Sequence, residues 1–256
     1  MNVTKQCQSN GITISYEESG SGEPLILLMG LGAPGIKWLP HIAAYEKHFH
    51  VYALDNRGAG QSDKPVCYSY SIEDMAKDTI GLMDALNIET AHFNGISMGG
   101  AIAQYIAVHY PERIRSVVLT NTFPYCNVSF RRAIEILREA NGQLDPITAG
   151  RLTQWIIFSQ PFMEEHESFL LEGELADLAD PYPMPSYAFK AQCNAILSFN
   201  EYQNLPSVTA PVLVAAGDKD LFVPISLTME MVHAIPNAEL YIAPEGGHVQ
   251  IGRAHV

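Results

Sequence analysis

Gly95-Ile96-Ser97-Met98-Gly99 is the stretch of this chain whose residue types and order suit covalent chemistry. A serine on a sharp turn from strand to helix raises its hydroxyl out of the backbone. Small flanking residues let the two elements approach that closely. The context fits: AHFNGI (91–96) reads as a strand and residues 98–109 as a helix, with Gly100 and Ala101 extending the small surface. The chemistry would be attack by Ser97 on a carbonyl carbon. A hydroxyl is a weak nucleophile until a base takes its proton, so the motif demands a histidine elsewhere in the chain. The competing reading is a glycine-rich turn whose serine caps a helix.

There are nine histidines. His41, His48, His50, His92, His109, His166 and His233 fall in helical or strand contexts, and His255 lies in the last six residues. His248 differs, because Gly246-Gly247-His248 follows the last strand-like run, AELYIAP (238–244), in a loop that would reach the sheet edge where the serine turn opens. The base needs an acid to orient it and to stabilise its protonated form. Asp220 lies in the loop after PVLVAAG (211–217), giving the chain order Ser, Asp, His; Asp218, next to the strand end, is its rival. SVVLTNTF, after the serine's own helix, offers no carboxylate. An oxyanion also needs preorganised N–H donors. The amide of Met98 would supply one, and the amide of Leu31, in the Gly30-Leu31-Gly32 turn, the other. Trp155, Phe158, Phe162 and Tyr187 are candidates to line an acyl pocket, with ordinary packing as the alternative.

Several elements must bring these residues together. Runs at 11–18, 25–30, 50–55, 91–96, 116–122, 211–217 and 238–244 are mostly continuous apolar stretches, the pattern of parallel strands buried on both faces. Asn10-Gly11 is a hairpin turn signal. Between the strands lie amphipathic helices. One covers 72–86, with Ile72, Met75, Ala76, Thr79, Leu82, Met83 and Leu86 on one stripe, Ser71 as its N-cap and Asp74 three residues on. Alternation of this kind predicts an α/β architecture with a mostly parallel central sheet and helices on both faces. Residues 124–205 break it with helical stretches alone, which predicts a helical cap inserted before the last two strands. The core is then 1–123 with 206–249. The loop Asp55-Asn56-Arg57-Gly58-Ala59-Gly60-Gln61-Ser62 lacks a phosphate-binding pattern and reads as a turn supporting the Leu31 loop.

Composition narrows the partners. A net charge of −13 with no basic run argues against nucleic acid and acidic membranes. Four cysteines without ligand-like spacing predict free thiols and no metal site. With no basic-then-apolar N-terminal segment, the expected compartment is the cytoplasm. The oligomeric state is left open.

The stretch ALDNRGAGQSD, then SIEDMAKDTIGLMDALNIETAHFNGISMGGAIAQYIAVHYPERIRSVVLTNT, resembles the α/β-hydrolase fold family, in particular its 3-oxoadipate enol-lactonase and carboxylesterase branch. YAFKAQCNAI and APVLVAAGDKD point the same way. The resemblance spans residues 11–249 and implies hydrolysis of a small ester or lactone through an acyl-enzyme, without metal or organic cofactor. Ser97, Asp220 and His248 fall on the family's triad positions, and Leu31 and Met98 on its oxyanion positions. Carbon–carbon hydrolases and cofactor-free perhydrolases use the same triad, and a ligand-sensing receptor is the non-enzyme alternative. There are two departures. MGLGAPG replaces the Asn-Ser-Leu-Gly type of loop common in enol-lactonases, and the family's further helix after the catalytic histidine has only eight residues available. The closing IGRAHV back-translates to ATC GGA AGA GCA CAC GTC, which resembles a sequencing-library adapter. Residues 250–256 are therefore expected to be a non-native tail on a read of environmental or transcript origin.

Overall fold

Strands that are apolar on both faces need helices on both sides, and alternation along each strand decides which helix a residue meets. The computed structural model describes residues 3–249. Within them one sheet carries β1 (Val3–Ser9), β2 (Ile12–Gly20), β3 (Glu23–Leu28), β4 (Phe49–Leu54), β5 (Ala91–Ile96), β6 (Ile114–Thr120), β7 (Val212–Gly217) and β8 (Ala238–Ala243). Their spatial order is β1-β2-β4-β3-β5-β6-β7-β8. β2 is antiparallel to β1 and β4, and all other pairings are parallel. β1 (VTKQCQS) is the strand that apolar patterning does not announce, because it is a mostly polar sheet edge. Asn10 and Gly11, at φ 49° and 79°, make the two-residue hairpin turn that pairs it with β2.

The helices are α1 (Leu39–Tyr45), α2 (Ile72–Ala85), α3 (Met98–His109), α4 (Val128–Ala140), α5 (Pro146–Ile157), α6 (Gln160–Glu165), α7 (Glu167–Leu178), α8 (Ser186–Ser198) and α9 (Ile225–Ala234). Ile26, Leu28, Tyr52 and Leu54 pack into one core with Met75 and Leu82 of α2 and Ile102 and Ile106 of α3. Their neighbours Leu25, Leu27, Val51 and Ala53 pack on the opposite face with Trp38 and Ile42. The pairing register carries this second face on to Val118, Leu213 and Tyr241, beyond α1, where Leu213 and Tyr241 are exposed. α2 starts with a complete capping box. The Asp74 N–H donates to Ser71 Oγ at 3.0 Å, and the Ser71 N–H donates to Asp74 Oδ2 at 3.0 Å. Of the expected stripe all but Leu86 are buried; that residue lies just past the helix end.

α4 to α8 fill the chain between β6 and β7. The insertion is closed at its base, where Tyr125 and Asn200 form an antiparallel bridge and the Glu201 N–H donates to Pro124 O at 2.9 Å. The stretch 163–179, which reads as one helix, is broken at His166, whose φ of −132° is not helical. No helix among the described residues is long and apolar enough to cross a membrane. The expected non-native tail, 250–256, lies outside the described residues.

A buried ion pair ties the loop after β4 to α2. Arg57 Nε and Nη2 donate to the two Asp78 carboxylate oxygens, both at 2.6 Å, and Asn10 Nδ2 donates to Asp78 Oδ1 at 3.0 Å. Removing one partner strands the other charge in the interior. Arg57→Ala is therefore expected to lower the unfolding free energy by about 3–5 kcal/mol, read from the shift of the urea midpoint.

Candidate active site

β5 ends at Ile96 and α3 begins at Met98, so Ser97 alone makes the turn. Its φ of 55° and ψ of −120° lie in a region that residues with a side chain rarely adopt. Neighbouring bonds hold it there. The Ser97 N–H donates to Thr120 O at 2.9 Å, and Ser97 O accepts from the Ala101 N–H at 3.1 Å and from Thr122 Oγ1 at 2.6 Å. The close approach excludes side chains on both flanks: a Cβ on Gly95 would stand 2.3 Å from Gly99 O, and one on Gly99 would stand 2.1 Å from Leu28 O. A Cβ on Gly30 would come within 3.2 Å of Ser97 Cβ, so that glycine keeps the space beside the hydroxyl open.

Ser97 and His248, each 4% exposed, line the same cavity of about 470 Å³, together with Leu31 and Phe222. His248 Nδ1 lies 2.8 Å from Asp220 Oδ2, and both side chains are buried. The other Asp220 oxygen, Oδ1, accepts the Phe222 and Val223 N–H groups at 2.8 and 3.0 Å, which fixes the carboxylate. The Phe222 ring meets the imidazole edge-on, 5.0 Å between centroids. A proton on Nδ1, shared with the carboxylate, leaves Nε2 as the basic nitrogen. Asp218, the rival acid, is exposed and has no bond to His248 among the described residues.

One residue of this arrangement escapes sequence reasoning. Asn121 stands just past β6 at φ 45° and is 1% exposed. Its Nδ2 donates to His248 O at 2.6 Å and to Gly247 O at 3.3 Å, while its Oδ1 accepts the Gly217 N–H at 2.9 Å. It thus joins the end of β7, which leads to Asp220, to the loop that presents His248. The signal in the sequence was an Asn, a residue tolerant of positive φ, directly after a strand ending at the active edge.

The Leu31 loop is held from two sides. Asn56 Nδ2 donates to Met29 O at 2.9 Å, and Asp55 Oδ1 accepts the Gly35 N–H at 2.6 Å. From α8, the fully buried Gln192 accepts the Gly32 N–H at 2.9 Å and donates to Arg57 O at 2.8 Å. With the Gly32 amide occupied, the Leu31 amide is the neighbouring donor with no protein acceptor among the described residues. Met98 is the first residue of α3, so its N–H has no acceptor within the helix.

Of the four aromatic pocket candidates only Phe158 lines the cavity. Trp155 is 60% exposed on α5. Phe162 is stacked between Phe158 and His166, at 4.9 and 4.3 Å. Tyr187 is exposed and donates its hydroxyl to Lys64 O at 3.1 Å. Phe169, Phe189 and Phe222 line the cavity instead. Neither buried thiol competes as a nucleophile: burial pushes Cys126 up to about 11 and Cys193 up to about 12, and neither lines the cavity.

A family model described as the alpha/beta hydrolase fold matches residues 23–252. The RutD protein of Pantoea ananatis, whose name proposes a carbamate hydrolase, is 30% identical over 91% of this chain and 84% of its own. The 3-oxoadipate enol-lactonase 1 of Acinetobacter baylyi is 30% identical over 82% of this chain and 77% of its own. Among solved structures, Est816, described as an N-acyl homoserine lactone degrading enzyme, superposes with a TM-score of 0.82 at 29% identity. That match covers 95% of this chain and 93% of Est816.

Asn121→Ala would leave the buried Gly217 N–H and His248 carbonyl without partners. It is expected to lower the unfolding free energy by about 1–3 kcal/mol, measured by urea unfolding. The Nδ1 proton resonance of His248 should exchange faster with water in the variant than in the parent.

Proposed function

The chain belongs to the α/β-hydrolase fold family; within it, we propose a serine hydrolase that cleaves carboxylic esters or lactones through an acyl-enzyme on Ser97. The observation that carries this reading is the 2.8 Å contact between His248 and Asp220, at a wall of the cavity that Ser97 also lines. In the first step Ser97 Oγ attacks the carbonyl carbon while His248 Nε2 takes its proton. Asp220 stabilises the imidazolium, and the Leu31 and Met98 N–H groups stabilise the oxyanion. Collapse breaks the acyl–oxygen bond, and His248 returns the proton to the departing alkoxide. With a lactone, that alcohol stays attached to the acyl group. Water then attacks the acyl-enzyme, giving its proton to His248, and Ser97 leaves as the restored hydroxyl. The products are a carboxylic acid and an alcohol, or one hydroxy acid.

The lactonase names among the relatives support the choice of carbonyl. Similarity to the RutD protein favours a second reading, a carbamate, whose carbonyl the same groups would attack. The helices of 124–205 would act as the cap over the site, closing the cavity from α5, α7 and α8. Four free cysteines support a reducing compartment, the cytoplasm.

Ser97→Ala is expected to remove turnover of p-nitrophenyl esters and simple lactones, together with labelling by a serine-reactive phosphonate. Retained turnover in that variant would sink the mechanism. Asp220→Asn should keep the fold but lower kcat by about 10⁴-fold, because the imidazole loses the acceptor that sets its tautomer. Running p-nitrophenyl acetate beside a phenyl carbamate separates the two readings by their ratio of kcat/KM.

A further inference from the structure

We propose that the cavity admits uncharged esters or lactones and rejects carboxylate-bearing ones, with Lys37 and Asp177 at its rim as the pair that sets the choice. This inference rests on the hydrolase reading of Ser97 and concerns which substrates reach it. Leu31, Ile96, Phe158, Phe189 and Phe222 give the cavity that Ser97 lines a largely apolar wall, with Asn141, Thr153 and Gln154 as its uncharged polar side chains. The lining residues that carry formal charge are Lys37, Asp177 and Asp180. Lys37 Nζ lies 2.9 Å from Asp177 Oδ1. Their side chains are 47% and 64% exposed, which puts the pair at the rim rather than the floor.

The lone ammonium is therefore already neutralised, and Asp180 leaves the cavity lining with a net negative charge. A carboxylate on the substrate would approach against this charge, in a chain of net charge −13. Once inside, it would meet no guanidinium, and the one ammonium among the described lining residues, Lys37, is held by Asp177 at the rim; burying an unpaired carboxylate is strongly unfavourable. An uncharged acyl chain faces neither obstacle and buries its apolar surface against the wall. The same field favours release, because the acid formed by hydrolysis is anionic where the ester was not.

The test uses two acyl groups of matched length, p-nitrophenyl butyrate and the p-nitrophenyl monoester of succinate. For the unmodified chain, kcat/KM for the butyrate should exceed that for the succinate monoester by about 100-fold or more. Asp177→Asn frees Lys37 and removes one negative charge. It should raise the succinate-to-butyrate ratio of kcat/KM about tenfold at low salt, with the gain largely screened in 0.5 M NaCl. Lys37→Ala should move the ratio in the opposite direction. Equal turnover of the two esters by the unmodified chain, or a ratio unmoved by Asp177→Asn, overturns the proposal while leaving the hydrolase reading intact. Inactivity on both esters without phosphonate labelling of Ser97 overturns both.

Discussion

The turn at Ser97 is the constraint to which the other parts of the site answer. A residue with a side chain is held at φ 55°, between a strand and a helix that approach too closely for any Cβ at Gly95, while the end of β3 leaves no room for one at Gly99. A strained residue of this kind persists only where its surroundings over-determine it. Here they do so through the sheet, because Thr120 O accepts the Ser97 N–H, and through the segment after β6, because Thr122 Oγ1 donates to the Ser97 carbonyl. Gln104 on α3 in turn donates to Phe123 O at 3.1 Å and to Thr122 Oγ1 at 3.4 Å. The stretch 120–123 is thus fastened to the serine turn on one side, and through Asn121 to the histidine loop on the other. One short peptide at the end of β6 links the Ser97 turn to the His248 loop, the proposed nucleophile and base.

The helical insertion has a structural part in the same arrangement. Gln192 of α8 occupies the Gly32 amide, and the carbonyl of Ile157 at the end of α5 accepts the Val249 N–H at 3.0 Å, next to His248. A Cβ on Gly247 would stand 2.6 Å from Ser159 N, so the histidine loop and the end of α5 are in backbone contact. Both the proposed oxyanion donor and the proposed base therefore have a neighbour fixed by the insertion.

That Asp220 meets His248 beside a cavity lined by Ser97 was legible because it follows from residue type, chain order and position after a strand, all of which survive without coordinates. The sheet was legible for a similar reason: β3 to β8 are short, largely apolar runs whose length suits strands rather than helices. β1 was not, since an edge strand with polar residues looks like loop, and only the Asn10-Gly11 turn marks it. Asn121 was hidden because its role lies in what its carboxamide reaches, Gly217 and His248, which are distant in sequence. The aromatic lining was the least legible part. Helical periodicity says that α5 has two faces but not which one meets the cavity. That is fixed where the end of α5 packs its backbone against Gly247 and Val249. Trp155 and Phe158 are three residues apart on neighbouring turns, yet one is largely in solvent and the other lines the site.

These placements bear on how binding and chemistry are divided in this molecule. Were the insertion only a lid, the residues that touch substrate would be separable from those that set the reactive geometry. Instead α5 contributes Phe158, at its C-cap, to the wall and Ile157 to the histidine loop, adjacent residues with different duties. α8 contributes Phe189 to the wall and, one turn later, Gln192 to the Leu31 loop. A displacement of either helix to fit a larger acyl group would move a supporting hydrogen bond along with the wall. Transition-state stabilisation by backbone N–H groups depends on their being fixed before the charge develops. Under the proposed mechanism, acyl-size selection would be coupled to rate through the hydrogen bonds of Gln192 and Ile157. Charge selection at the rim, on the exposed side chains of Lys37 and Asp177, is free to vary without disturbing them.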